Sequence, residues 1–241
     1  MPAPDEPQAD ETHPDETHPD EQQTPPVVAA RGLTLVGPEG PVFTDVSLDL
    51  PAGRLTVLVG PSGSGRSSLL LAVCGRMRGC TGTLQVHGRP VRRGRDSRAL
   101  RQATSVARIA ALVVPEPRLT VGQSVVERGL LDGVRPGAAA RAFAAAEDLL
   151  EVRLDRDTLV ERLPAYDRTA LAVGLALVRP AELVVLDDLD ADLDLDDQRR
   201  LLDGLVRLVG TGTAVLASTT EAAPVPADAL LVPLAPPTKA R

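Results

Sequence analysis

The stretch "LVGPSGSGRSSLLLAV", residues 58–73, sets Gly60 and Gly65 five positions apart and follows the second glycine with a cation, Arg66, and a hydroxyl, Ser67. Glycines let the backbone pass close to a ligand, and N–H groups at a helix start gather an anion irrespective of side chain. The pattern departs from a phosphate-binding loop, G-x-x-x-x-G-K-[ST], at one position, because Arg66 stands where the lysine belongs. Gly60, Pro61, Ser62, Gly63, Ser64, Gly65, Arg66, Ser67 and Ser68 are therefore the candidate phosphate-binding residues. Arginine keeps the charge and can fork onto phosphate oxygens, yet its planar head does not reproduce the point contact of an ammonium. The chain has one lysine, Lys239, among 26 basic side chains, so a general preference for arginine accounts for the exchange as well as a functional demand would. Roughly 120 residues downstream, "ELVVLDDLD" runs an apolar segment into Asp187 and Asp188, carboxylates placed as at the end of a strand buried on both faces.

These groups need elements to hold them. Turn signals at "GPEGP", "PAG" and "GCTG" separate "PVFTDVSLDL", "RLTVLVG" and "TLQVHG", which read as short strands. "SSLLLAVCGRMR" has apolar residues at helical spacing, so the glycine-rich loop joins a strand to a helix N-terminus. Within residues 119–179, "LTVGQSVVERGLL", "GAAARAFAAAEDLLEV" and "RTALAVGLALV" are rich in alanine and leucine and predict helices. After "ELVVLDDLD" come a helix in "DDQRRLLDGLVRLVG", a strand in "GTAVLAST" and a last strand in "DALLVPL". This order predicts an α/β domain with a parallel central sheet.

Composition removes several function classes. Residues 1–26 carry eight carboxylates, seven prolines and no Lys or Arg, and predict a disordered acidic tail dispensable for folding. The tandem "DETHPDETHP" reads as part of that solvated tail and not as a metal tract. The formal charge of −7 comes from the tail, so the remainder is near neutral and has no basic footprint for nucleic acid. Phe43, Phe143 and Tyr166 are the only aromatics, too few for a platform that stacks bases. Cys74 and Cys80, in a chain with no apolar leader, point to a reducing cytosol. The longest apolar run, residues 170–178, is about half the length of a bilayer crossing.

Over residues 30–235 the ordered set "GPVFTDVSLDLPAGRLTVLVGPSGSGRSSLL", "GTLQVHGRPV", "LTVGQSV", "ELVVLDDLDADLD" and "GTAVLASTT" resembles the nucleotide-binding domain of ABC (ATP-binding cassette) transporters. The resemblance implies a P-loop NTPase fold for residues 27–241: a largely parallel central sheet, an N-terminal antiparallel β subdomain and a helical insertion at about 115–180. It implies ATP and Mg²⁺ as ligands, with Ser67 and Asp187 on the metal and Asp188 in place of the carboxylate, normally Glu, that orients the attacking water. It also implies a cytoplasmic position at the inner face of the membrane, through a membrane-embedded transporter subunit that docks on the helical part, and a homo- or heterodimer of cassettes.

Against that family pattern several groups differ. Thr220 stands at the switch histidine, and the histidines of the chain are His13, His18 and His87. Residues 103–122 contain no glutamine, leaving Val114, Pro115 or Glu116 near its place, and no aromatic lies close to Gly37, where one would stack on adenine. The LSGGQ signature aligns with Leu163, Pro164, Ala165, Tyr166 and Asp167; Pro164 removes an N–H and Asp167 adds a negative charge. "LPAYD" also reads simply as the cap of the helix that follows. Two functional readings stand side by side: a divergent ATPase subunit with weak hydrolysis, and a non-catalytic nucleotide-binding regulatory or structural subunit. A GTPase lacks its guanine-reading element, since the chain has no asparagine, and "RRGRDSRALR", residues 92–101, reads as a solvated surface rather than a kinase lid.

Overall fold

The structure, a computed structural model, describes residues 24–91, 97–109 and 112–236. Most of the acidic tail expected at 1–26 lies outside the described residues, and the chain enters the fold where the Val27 N–H donates to Leu50. Strands β1 (Val28–Gly37) and β2 (Gly40–Leu50) pair antiparallel across the two-residue turn of Pro38 and Glu39. With β4 (Thr81–Val86) and β5 (Arg89–Pro90) they form a four-stranded antiparallel sheet in the order β2-β1-β4-β5.

A second, parallel sheet has five strands: β3 (Leu55–Val59), β6 (Thr104–Arg108), β7 (Leu183–Leu186), β8 (Ala214–Thr219) and β9 (Leu230–Pro233), in the order β6-β7-β8-β3-β9. Successive residues of its central strands point to opposite faces, and both faces are covered. Val184, Leu186, Val215 and Ala217 pack into a core shared with the helical insertion, whereas Leu183, Val185, Ala214 and Leu216 pack toward the antiparallel sheet. Double burial is why "ELVVL" is a continuous apolar run and not an alternating one.

The helices are α1 (Arg66–Val73), α2 (Ser97–Ala103), α3 (Val121–Asp132), α4 (Pro136–Leu150), α5 (Ala165–Ala176) and α6 (Leu195–Val209). The insertion is α3, α4, a 3₁₀ turn at Val160–Arg162 and α5. Thr120 and Gln123 close a reciprocal capping box at the start of α3, and Asp194 caps α6 by accepting from the N–H groups of Asp196 and Asp197. Helix α1 stops at Val73, short of the expected "CGRMR". Gly75 adopts φ +65°, and the Gly75 and Arg76 N–H groups donate back to Ala72 and Leu71, a left-handed stop that ends the helix. In the arginine-rich run, residues 92–96 lie outside the described residues; the rest is not only surface, because it forms α2, whose Leu100 is buried. Both cysteines are buried and unbridged, and burial pushes the Cys74 thiol up to about 11.

Candidate functional site

Parallel strands bring their C-terminal ends to one edge, and every candidate chemical group sits there. The glycine-rich loop leaves β3, the two aspartates leave β7, Thr220 leaves β8, and Arg108 ends β6. Strand β8 lies between β3 and β7, so the loop and the aspartates face each other across one strand.

The loop has the shape of an anion cradle. Gly60 donates its N–H to Thr219 and Ser64 to Pro61, while the N–H groups of Gly63, Gly65, Arg66 and Ser67 meet no acceptor among the described residues. Pro61, Ser62 and Gly63 are exposed, Ser67 and Ser68 are partly buried in the first turn of α1, and Ser64 is buried with its Oγ unpartnered. Gly63 and Gly65 hold φ +79° and +90°, and a Cβ at Gly65 would lie 2.5 Å from the Val42 carbonyl oxygen. Gly65→Ala is expected to cost roughly 2–4 kcal/mol, the left-handed strain plus the displacement of β2, as read from the shift in urea midpoint. A loss below about 0.5 kcal/mol would show that the loop does not need this backbone shape.

Asp187 is fully buried. Its Oδ1 accepts from Ser218 Oγ at 2.5 Å, its N–H donates to Arg108, and its Oδ2 is enclosed without a partner. An unpaired buried carboxylate oxygen is costly, which makes it an atom waiting for a cation or an ordered water. Asp188 adopts φ +46° and donates its N–H to the same Ser218 Oγ, at 2.9 Å. One serine thus orders both aspartates.

The side chain of Arg66 does not lie free in the cradle. It is buried, donates one Nη to the Gly60 carbonyl, and places the other 2.8 Å from Asp188 Oδ1. The two groups expected to act on a phosphate and on a water are therefore paired with each other. Its Nε is enclosed with no partner.

Arg108 is the residue that sequence reasoning passed over, because "TSVAR" carried no motif and its strand was not located. Its guanidinium donates to Thr169 Oγ1 at 2.9 Å and to the carbonyls of Asp188 and Asp187 at 2.5 and 3.3 Å, bracing the turn after β7. Burial lowers its pKa, and Asp188, Asp187, Asp192 and Asp190 only partly offset that. Arg108 and Asp188 line a cavity of about 470 Å³ together with Val114, Pro115 and Arg168, which puts two of the three residues expected near the missing glutamine beside the aspartates. Glu116 does not line it.

Thr220 is committed as well, since its N–H and hydroxyl both donate to Asp190. Burial pushes the Asp190 carboxyl up, but these bonds outweigh it and hold the group below its ordinary value. In "LPAYD", Pro164 is the N-cap of α5 with no side-chain cap, and Tyr166 turns inward, its hydroxyl 3.0 Å from the Leu150 carbonyl and its ring under Arg200. Burial raises the Asp167 carboxyl. Tyr166 therefore serves the core.

The donors present fit a phosphate chain: a run of N–H groups at a helix start that meet no acceptor among the described residues, with an enclosed carboxylate oxygen at the end of β7, one strand away in the sheet. No cluster of three or more His, Cys, Asp or Glu capable of holding a metal on its own occurs among the described residues, so a cation here needs ligand oxygens as well.

Residues 43–191 match the family described as ABC transporter. An ABC transporter ATP-binding protein of Streptomyces coelicolor, SCO5958, is 33% identical over 208 residues, covering 82% of this chain and 70% of that one. The hemin import ATP-binding protein HmuV of Rhodococcus jostii is 30% identical, covering 78% and 64%. The mycobactin import ATP-binding/permease protein IrtB of Mycolicibacterium smegmatis is 32% identical, covering 68% of this chain and 29% of its own length. The chain thus spans less than two thirds of several relatives it matches. Among solved structures, MJ0796, a dimeric bacterial ABC transporter cassette, superposes with TM-score 0.74 at 17% identity, covering 87% of this chain and 94% of that one.

Proposed function

Because the chain belongs to the ABC transporter family, we propose that it is the ATP-binding cassette of a transporter that binds ATP with Mg²⁺ through residues 60–68 and hydrolyses it weakly. The observation that carries this reading is the cradle itself: the N–H groups of Gly63, Gly65, Arg66 and Ser67 meet no acceptor among the described residues, two left-handed glycines open the loop, and the buried Asp187 Oδ2 at the end of β7 has no partner among them. Ser67 and Asp187 would hold the metal, which would supply charge neutralisation between phosphate oxygens. Asp188 has the place of the water-orienting carboxylate, and its ion pair with Arg66 favours the second reading, a nucleotide-binding subunit with no useful turnover.

Docking is read from α3. Leu130 and Leu131 are 70% and 77% exposed, Val126 about half, and they border an open cavity of about 730 Å³ with Leu119 and Gly122. An exposed apolar strip of this kind on a helix marks a partner surface. The partner in this reading is a membrane-embedded subunit reached at the cytoplasmic face, as befits a cassette of this family. A dimer of cassettes, like or unlike, and a cassette domain at 27–241 with a dispensable tail at 1–26, belong to the same reading.

The test is calorimetric titration of ATP with Mg²⁺ into the full chain, with steady-state phosphate release alongside. Saturable binding with turnover under about 0.1 per second is expected, against a median enzyme rate of about 10 per second. Absence of saturable binding would remove the reading. Leu130→Asp combined with Leu131→Asp should abolish membrane recruitment without changing nucleotide affinity.

A further inference from the structure

At the end of α1 remote from the phosphate loop, a cavity of about 600 Å³ opens between that helix, β4 and α2. Arg76, Arg78 and Arg101 stand on it with Met77, Leu84 and Val91, and no described carboxylate lines it. Arg76 donates one Nη to the Cys74 carbonyl and to Thr104 Oγ1, and Arg101 donates one to the Gly75 carbonyl, so each keeps its other nitrogens for a further acceptor. Arg76, Arg78, Arg89, Arg98 and Arg101 are all exposed, and none pairs with a carboxylate among the described residues. Residues 76–101 hold eight arginines against one carboxylate, Asp96, in a chain whose formal charge is −7. Cations concentrated in this way attract an anion.

The complementary anion is written in the same chain. Residues 1–23 carry Asp-Glu pairs at 5–6, 10–11, 15–16 and 20–21, one every five residues, with no Lys or Arg. That segment joins the fold beside the basic face. Pro25 packs near Gly88 at the tip of the β4–β5 hairpin, and the His87 N–H donates to the Val27 carbonyl. Arg89 follows directly, and Val91, a wall of the cavity, donates its N–H to Leu84, another wall. From Gly88 to Leu84 is about 13 Å along the strand, whereas 23 residues reach up to about 75 Å. Tethering also keeps the acidic segment at about millimolar effective concentration near the face.

We propose that residues 1–23 dock on their own chain, with the carboxylate pairs on the guanidinium forks of Arg76, Arg78 and Arg101 and the prolines against Met77, Leu84 and Val91. Docking covers an outer face and no core, so the fold does not depend on it.

The experiment times cleavage by a glutamate-specific protease at Glu11, Glu16 and Glu21, in the full chain and in a free peptide of residues 1–23, by mass spectrometry. The protease takes only the undocked fraction, so the chain should be cut about fivefold or more slowly than the peptide at about 20 mM salt, and equally fast at about 0.5 M. Arg76→Ser combined with Arg78→Ser and Arg101→Ser should abolish the protection at low salt. Arg118→Ser combined with Arg135→Ser and Arg141→Ser, which removes the same charge from exposed positions elsewhere, should keep it. Equal cleavage of the unaltered chain and the peptide at low salt would overturn the proposal. So would equal relief in both triple variants, which would leave net charge as the whole cause. Capture of the unaltered chain by phosphatidylglycerol vesicles through these three arginines, with the segment cut as fast as the peptide, would overturn it in favour of a lipid surface.

Discussion

Replacing Arg66 with lysine is expected to tighten nucleotide binding several-fold yet leave hydrolysis under about 0.1 per second. In the wild-type chain the guanidinium spans from the Gly60 carbonyl to Asp188, so an incoming phosphate must compete with a buried ion pair for its cation. A lysine has one compact head and no fork to bridge both groups, and it returns the cation to the cradle. Turnover stays low for separate reasons. Thr220 spends its hydroxyl and N–H on Asp190, and residues 163–167 present a proline and an acid where free N–H groups at the start of α5 would face a phosphate. Each missing phosphoryl-stabilising group typically costs about 10²-fold or more, and the losses overlap without cancelling. Steady-state phosphate release checks this. Rates of a few per second in the wild type or in Arg66→Lys would establish a divergent but competent active site and end the weak-hydrolysis reading.

The second large effect is on stability. Arg156→Ala is expected to cost about 2–3 kcal/mol, less than the ~3–5 kcal/mol for breaking a fully enclosed pair, because Arg156 is 43% exposed. Glu147 on α4 is buried, and Arg156 donates to both its oxygens while the Leu154 N–H donates to one. The guanidinium also lies 4.9 Å from the Phe143 ring centre. Burial alone would raise the Glu147 carboxyl, but these bonds hold it below its ordinary value. A carboxylate depressed in the folded state contributes stability above its unfolded pKa and loses it as pH falls through the folded one. The gap between wild type and variant should therefore be widest near neutral pH and close in acid, where Glu147 protonates in both proteins. Denaturant midpoints at pH 7 and at about pH 3.5 measure it, and a gap that does not change with pH would assign the loss to packing on Phe143 alone.

Much of this molecule is local enough to be legible in the chain. Gly60 and Gly65 are required by contacts a Cβ would violate, and their spacing announces a loop between a strand and a helix. The apolar run ending in Asp187 and Asp188 signals a strand covered on both faces, and the structure covers both. The starts of α3 and α6 are capped by side chains of Thr120 and Asp194, and α4 opens on Pro136, chemistry set by neighbours in sequence. What the tertiary structure decided is which side chains face each other. β6 carries no motif, and its place beside β7 is set by pairing from Thr104↔Leu183 onward, a long-range contact that periodicity does not encode. That pairing delivers Arg108 to the carbonyls of Asp187 and Asp188, and the insertion of β8 between β3 and β7 delivers Ser218 to both aspartates. The pairing of Arg66 with Asp188 crosses 122 residues of sequence. Charge and residue type placed both groups in the candidate site, but only the sheet order sets the distance between them, and at 2.8 Å two opposite charges neutralise each other before either meets a ligand.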